Sequence, residues 1–148
     1  GKLKLPEGLI DMPPSELNDE QFAAYAKHCE YGAKMVEGNR LISNSVQQII
    51  LQHHECYDGT GFPKGIKGNK ILTLANIVRL ADDFVRLVEE KKCKPIEALK
   101  ILLQDSGGSK RYNSSIVENF IKVFVDPEKI SASSKSVIPG NSRIVKKR

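Results

Sequence analysis

Three histidines and one aspartate offer this sequence its most useful chemistry: His28, His53, His54 and Asp82. Neutral imidazole is the commonest ligand for borderline transition metals, and carboxylates often complete such sets. Taken singly, each His is more often a packed or surface residue than a ligand. The adjacent pair His53-His54 shifts that balance towards metal. All three are expected on helices, where neighbouring side chains point ~100° apart. The pair is therefore expected to serve two neighbouring ions, or one ion and a substrate, and not to clasp one ion as an i, i+4 pair would. Asp82 falls four residues after Val78, at the edge of an apolar stripe. A half-buried carboxylate is costly unless paired or metal-bound; the alternative is a surface Asp beside Asp83. Cys29, Cys56 and Cys93 are odd in number and form no Cys-x-x-Cys pair. That excludes a zinc ribbon and a thioredoxin motif, and free thiols fit a reducing cytoplasm.

The elements that position these groups are helical by their period. Asn18 reads as an N-cap, with Gln21 three residues on and Phe22, Tyr25, Ala26 and Cys29 at helical spacing. That helix is expected to run to about Gly32, with a continuation ending near Gly38-Asn39. A second helix starts near Ser43, with Val46, Ile49 and Ile50 on its apolar face and His53 next in the stripe. Tyr57–Gly65 is too rich in Gly and Pro for an element interior and must be a loop. Thr73 caps the strongest pattern, a stripe of Leu74, Ile77, Val78, Ala81, Phe84, Val85 and Val88 expected to face the core. Pro95 suits the first position of a helix ended by Ser106-Gly107-Gly108. Asn113 caps a last one, closed by Asp126-Pro127. No segment alternates with period 2, so the fold class is all-α.

The chain has 148 residues, one domain's worth, and a composition able to bury a core without staples. No apolar run is long enough to span a membrane, and residues 1–4 show no signal-peptide pattern. Of its 23 Lys and Arg, six follow Glu128, where there is no acid; the body is thus close to neutral against its 18 acids. Residues 1–128 are expected to be the folded domain and 129–148 a solvated basic tail. A nucleic-acid-binding face across the whole domain is not supported, and no DNA partner is expected.

The run His53-His54-Glu55-Cys56-Tyr57-Asp58-Gly59-Thr60-Gly61-Phe62-Pro63 resembles the HHExxDGxGYP signature of the HD-GYP family of metal-dependent phosphohydrolases, with Phe for Tyr. Leu5–Gly32, Ile77–Asp82, the Ser106-Gly107-Gly108 turn and the Ile116–Phe124 helix are similar to further parts of that family, and the resemblance as a whole covers about 125 residues of the chain. The resemblance implies an HD-type helical bundle that binds two or three iron- or manganese-type ions and hydrolyses cyclic di-GMP. By motif match it implies His28, His53, His54 and Asp82 as metal ligands and Lys2 beside the scissile phosphate. It implies Gly59, Gly61, Phe62 and Pro63 at the edge of the substrate site, on a loop that can also dock cyclase domains of the GGDEF type. The HD dyad, whose Asp bridges metals in the family, is expected upstream of Gly1, so the chain reads as the C-terminal two-thirds of a catalytic domain and by itself as inactive.

Metal-bound water ionises near neutral pH, and the same ions stabilise charge on a phosphoryl group, so the implied chemistry suits the implied ligands. Two departures stand against it: the HD dyad is not in this sequence, and after Asp82 Val85-Arg86-Leu87 stands in place of the family's Asp-Ala-Leu, with the following Arg-Pro-Tyr stretch altered. A relative that binds the dinucleotide or a protein partner without turnover is the alternative.

Overall fold

The computed structural model describes residues 1–125. Six helices make up its regular structure, with no strand among the described residues: α1 (Asp19–Ala26), α2 (His28–Val36), α3 (Asn44–Gln52), α4 (Thr73–Lys91), α5 (Pro95–Ser109) and α6 (Ser114–Val125). Short 3-10 turns at Lys2–Lys4, Pro14–Glu16 and Gly68–Lys70 shape the connections. The all-α expectation holds. The expected tail and the Asp126-Pro127 stop lie outside the described residues. Among the described residues, no helix is long and apolar enough to cross a membrane.

Local chemistry explains most helix starts. Asn18 and Gln21 form a reciprocal capping box: Gln21 N donates to Asn18 Oδ1 at 2.9 Å, and Asn18 N to Gln21 Oε1 at 3.0 Å. Ser43 caps α3 through Val46 N, Pro95 opens α5, and Asn113 Oδ1 accepts from Ser115 N ahead of α6. Other boundaries differ from expectation. The first helix breaks at Lys27 into α1 and α2. Thr73 is the first residue of α4 and not its cap, which is Leu72. The Ser106-Gly107-Gly108 stop is overridden, since α5 continues to Ser109 and ends on left-handed Lys110.

Two apolar clusters form the core. Leu5, Leu9 and Tyr25 pack under Met12, Leu17 and Phe62. Leu80, Leu102, Tyr112 and Val117 pack with Phe84, Leu87, Ile116, Phe120 and Ile121, joining α4, α5 and α6. Leu80 is 1% exposed, so its loss to Ala would cost about 2–5 kcal/mol.

Helix α4 buries a polar face and, apart from Phe84, leaves much of its apolar stripe uncovered. Its buried residues are Ala75, Asn76, Arg79, Leu80 and Asp83, while Leu74, Ile77, Val78 and Val85 are exposed. A buried polar network holds the inward face. Arg79 Nε lies 2.8 Å from Asp83 Oδ2, Arg86 Nη2 donates to Oδ1 at 2.6 Å, and the Tyr112 hydroxyl donates to Oδ2 at 2.6 Å. Burial, then the Asp83 charge, pushes the Tyr112 hydroxyl pKa up, which keeps it a donor. The outward stripe leaves an apolar groove, lined in part by Leu3, Met35, Ile49, Ile50 and Val78, that ends at His28 and His53.

Candidate metal centre

Close backbone contacts bring the first two histidines together. A Cβ at Gly1 would collide with the His28 carbonyl, and one at Gly32 would meet Ile50 Cγ2 at 2.9 Å. Glycine at both positions lets the N-terminal turn and α3 press against α2. His28 opens α2, and His53 is the C-cap of α3.

Hydrogen bonds then fix the tautomers. His28 Nδ1 donates to the Tyr25 carbonyl and His53 Nδ1 to the Ile50 carbonyl, both at 2.6 Å. A carbonyl only accepts, so each Nδ1 carries the proton and each Nε2 keeps its lone pair. The two Nε2 atoms face each other across 3.4 Å. Two unprotonated nitrogens pointed at one another repel unless a cation lies between them. A backbone partner on the far nitrogen is also how ligating histidines are usually oriented.

His54 is held differently. It lies beyond the end of α3, so the expectation that all three His sit on helices fails for the pair. The turn folds the two rings to centroids 4.1 Å apart, and the 100° argument no longer applies. Donor atoms of His28, Cys29, His53 and His54 all lie within 4.8 Å of one another. Yet Arg79 Nη1 donates to His54 Nδ1 at 3.0 Å, and Phe62 stacks on the ring with centroids 4.7 Å apart. A guanidinium cannot accept, so Nδ1 is occupied and Nε2 bears the proton. In this arrangement His54 presents an N–H and not a lone pair.

All three imidazoles are neutral at pH 7. Burial pushes His28 down to about 4 and lowers His53 and His54. Neutral imidazole is the form that metals need. Burial, then the Glu55 charge, raises the Cys29 thiol to about 12.

The other expected residues divide around a second cavity of about 340 Å³. Lys2, His54, Gly61, Phe62, Asp82, Arg86 and Arg111 help to line it, whereas Gly59 and Pro63 do not. The Lys2 ammonium sits 5.5 Å from the Tyr25 ring centroid. Asp82 is exposed and not half-buried; Asp83 takes the buried place. The Asp82 charge still reaches His53, whose pKa it raises against the effect of burial.

Phe62 plugs into the site, edge-on to Phe22 and Tyr25 as well as stacked on His54. Gly61 is required by close approach: a Cβ there would collide with the backbone of His54, Glu55 and Cys56. The sequence reading gave Glu55 no role. It is 1% exposed, and its carboxylate accepts from Lys64 N at 2.8 Å and Ile66 N at 3.1 Å, tying the Tyr57–Gly65 loop to the histidines. Arg79 and Cys29 were also missed. A charged residue beside an apolar stripe reads as solvated, and a Cys beside a His reads as core.

The HD domain family profile matches residues 1–116. The chain is 32% identical over 127 residues to a cyclic di-GMP phosphodiesterase of Thermotoga maritima, covering 83% of this chain and 34% of that protein. It is 29% identical over 133 residues to a cyclic di-GMP phosphodiesterase of Vibrio cholerae, covering 83% and 26%. Among solved structures it is similar to Bd1817, an HDG"Y"P protein from Bdellovibrio bacteriovorus, with a TM-score of 0.63 and 28% identity over 82% of this chain and 38% of the other. The chain therefore spans about a quarter to a third of the length of these curated relatives.

Proposed function

The chain belongs to the HD domain family, and on that premise we propose that it forms part of a metal-dependent phosphodiesterase that opens cyclic di-GMP. The observation that carries this reading is the pair of His28 and His53 Nε2 lone pairs converging at 3.4 Å against His54, which with Lys2, Arg86 and Arg111 lines a cavity. The names of the two curated relatives support the choice of substrate.

His28 and His53 would hold a divalent transition-metal ion, with iron or manganese the expectation carried by the resemblance and Asp82 near enough to join a second ion. Such an ion lowers the pKa of a bound water and supplies hydroxide at neutral pH. The chain's own residues do the rest. Lys2 neutralises charge on the attacked phosphate. Arg86 and Arg111 attract the second phosphate of the ring. The His54 Nε2–H, fixed by Arg79, donates to a phosphoryl oxygen. Gly61 and Phe62 wall the cavity beside it, and in this proposal Gly59 and Pro63 shape the same loop, which also presents the docking surface for GGDEF-type cyclases.

One observation favours a second reading. Arg79 occupies His54 Nδ1 and so withdraws a ligand that the resemblance implies. A protein that binds the dinucleotide without cleaving it would follow. Incubating the metal-loaded full-length protein with cyclic di-GMP and separating the products distinguishes the two. The enzyme reading expects an opened dinucleotide; intact nucleotide retained by the protein supports the second.

A further inference from the structure

The cavity of about 340 Å³ carries a carboxylate that phosphate binding does not require. Asp82, Arg86 and Glu89 line it from α4 at i, i+4 and i+7, so they share one helix face ~10 Å long. Asp82 is the end whose charge reaches His53, and Glu89 is the far end. Arg86 and Glu89 fall in the stretch after Asp82 where the sequence departs from the HD-GYP pattern. Met12, Pro14 and Phe22 give the same cavity an apolar lining. Phe22 packs edge-on to Phe62 and is still 37% exposed. The acids of α4 are used differently. Asp83 is consumed by Arg79, Arg86 and Tyr112. Glu89 is exposed and has no hydrogen-bond or ion-pair partner among the described residues. A free carboxylate repels phosphate, so in a cavity that took phosphate alone it would only weaken binding. It suits a ligand edge with two adjacent donors.

We infer that Glu89 is a specificity-determining residue, whose two carboxylate oxygens accept from N1–H and the 2-amino group of one guanine base. The inference rests on the reading of the cavity as a cyclic dinucleotide site. Arg86 serves a phosphate, and Glu89, one turn further along α4, reads the base attached beyond it. Met12 and Phe22 cover the apolar face of the ring. Adenine carries the lone pair of N1 where guanine carries N1–H, and it has no 2-amino group. Its edge therefore sets a lone pair against the carboxylate and is rejected by repulsion as well as by the missing bonds.

Three ligands offered to the metal-loaded full-length protein read this directly: cyclic di-GMP, cyclic di-AMP, and cyclic di-IMP, whose hypoxanthine keeps N1–H but lacks the 2-amino group. Preference is measured as the ratio of kcat/KM, or of affinities where the ring stays intact. Wild type should prefer cyclic di-GMP to each of the others by ~10-fold or more, the scale of a hydrogen bond to a charged group. Glu89→Ala should lose most of that preference by weakening cyclic di-GMP, with the effect falling on KM more than on kcat. The penalty for removing the 2-amino group should shrink with it, as two partners in one contact require. Glu90→Gln alters the neighbouring exposed acid, which does not line the cavity, and should keep the wild-type ratios. A Glu89→Ala variant with wild-type ratios, or a wild type that takes all three ligands equally, would overturn the role of Glu89 while leaving the phosphodiesterase reading standing. A wild type that neither binds nor cleaves any of the three would overturn both.

Discussion

Arg79 Nη1 donates to His54 Nδ1 across 3.0 Å, and the same guanidinium lies 2.8 Å from Asp83 Oδ2. One buried cation thus links the histidine cluster to the packing of α4 on α5 and α6. It settles which nitrogen of His54 bears a proton and which face of α4 turns inward. The link joins residues 25 positions apart, so neither effect follows from local pattern.

Asp83 should be costly to remove. Its carboxylate balances Arg79 and accepts from Arg86 and Tyr112. Asp83→Ala leaves a buried guanidinium without its counter-charge, which costs about 3–5 kcal/mol. Urea unfolding of variant and wild type measures it. A loss under about 1 kcal/mol would mean the network is solvated and does not set the orientation of α4.

Stability should depend on pH through the histidines. Burial holds the folded-state pKa of His28 at about 4 and lowers His53 and His54 as well, against an ordinary value of 6.5. Below pH ~6.5 the unfolded chain binds protons that the folded chain refuses, so stability rises with pH in this range. Folding free energy should be fully present above pH 6.5 and decline as pH falls towards 4. Bound metal should steepen the decline, because protons then compete with it for the ligands. An unfolding midpoint that stays flat from pH 7.5 to 4.5 would contradict the buried, neutral assignment.

The loop after the histidines should loosen when Glu55 is altered. Glu55→Gln leaves one oxygen to accept where two now serve Lys64 N and Ile66 N. An amide left unsatisfied costs about 1–3 kcal/mol. Hydrogen exchange at Lys64 and Ile66 should speed up while α5 and α6 keep their protection. Gly61→Ala should disturb the loop at least as much, since its Cβ would meet backbone on three residues. Unchanged exchange in both variants would remove Glu55 and Gly61 as organisers of the loop.

Part of this arrangement was legible in the sequence. The Asn18–Gln21 capping box, the Ser43 and Asn113 caps and Pro95 at a helix start are local signals, and each is in place. His28, His53 and His54 converge as their types and the motif suggested. The burial of Arg79 and Asp83 was not legible, because hydrophobic periodicity does not register two charges that neutralise each other. The end of α3 was not legible because Val46, Ile49 and Ile50 continue in register to His53, whereas the helix ends at Gln52 with His53 as its C-cap.

Lys2 separates phosphate chemistry from metal binding. Its ammonium lies by the Tyr25 ring and lines the cavity. Lys2→Ala in the full-length protein should keep its metal content. Turnover should fall by roughly 10²–10³, as when one donor to a developing oxyanion is lost. Affinity for cyclic di-GMP should fall less, because other contacts remain. Unchanged turnover would place Lys2 away from the reacting phosphate.

The most direct test of the account is metal content measured together with turnover in His53→Ala of the full-length protein. The account predicts that the variant keeps its helical circular dichroism, loses the ion held between His28 and His53, and loses cyclic di-GMP hydrolysis in proportion. A variant that keeps the full metal content of wild type, or that hydrolyses the dinucleotide at the wild-type rate without it, would contradict the claim that these two histidines form the working metal centre.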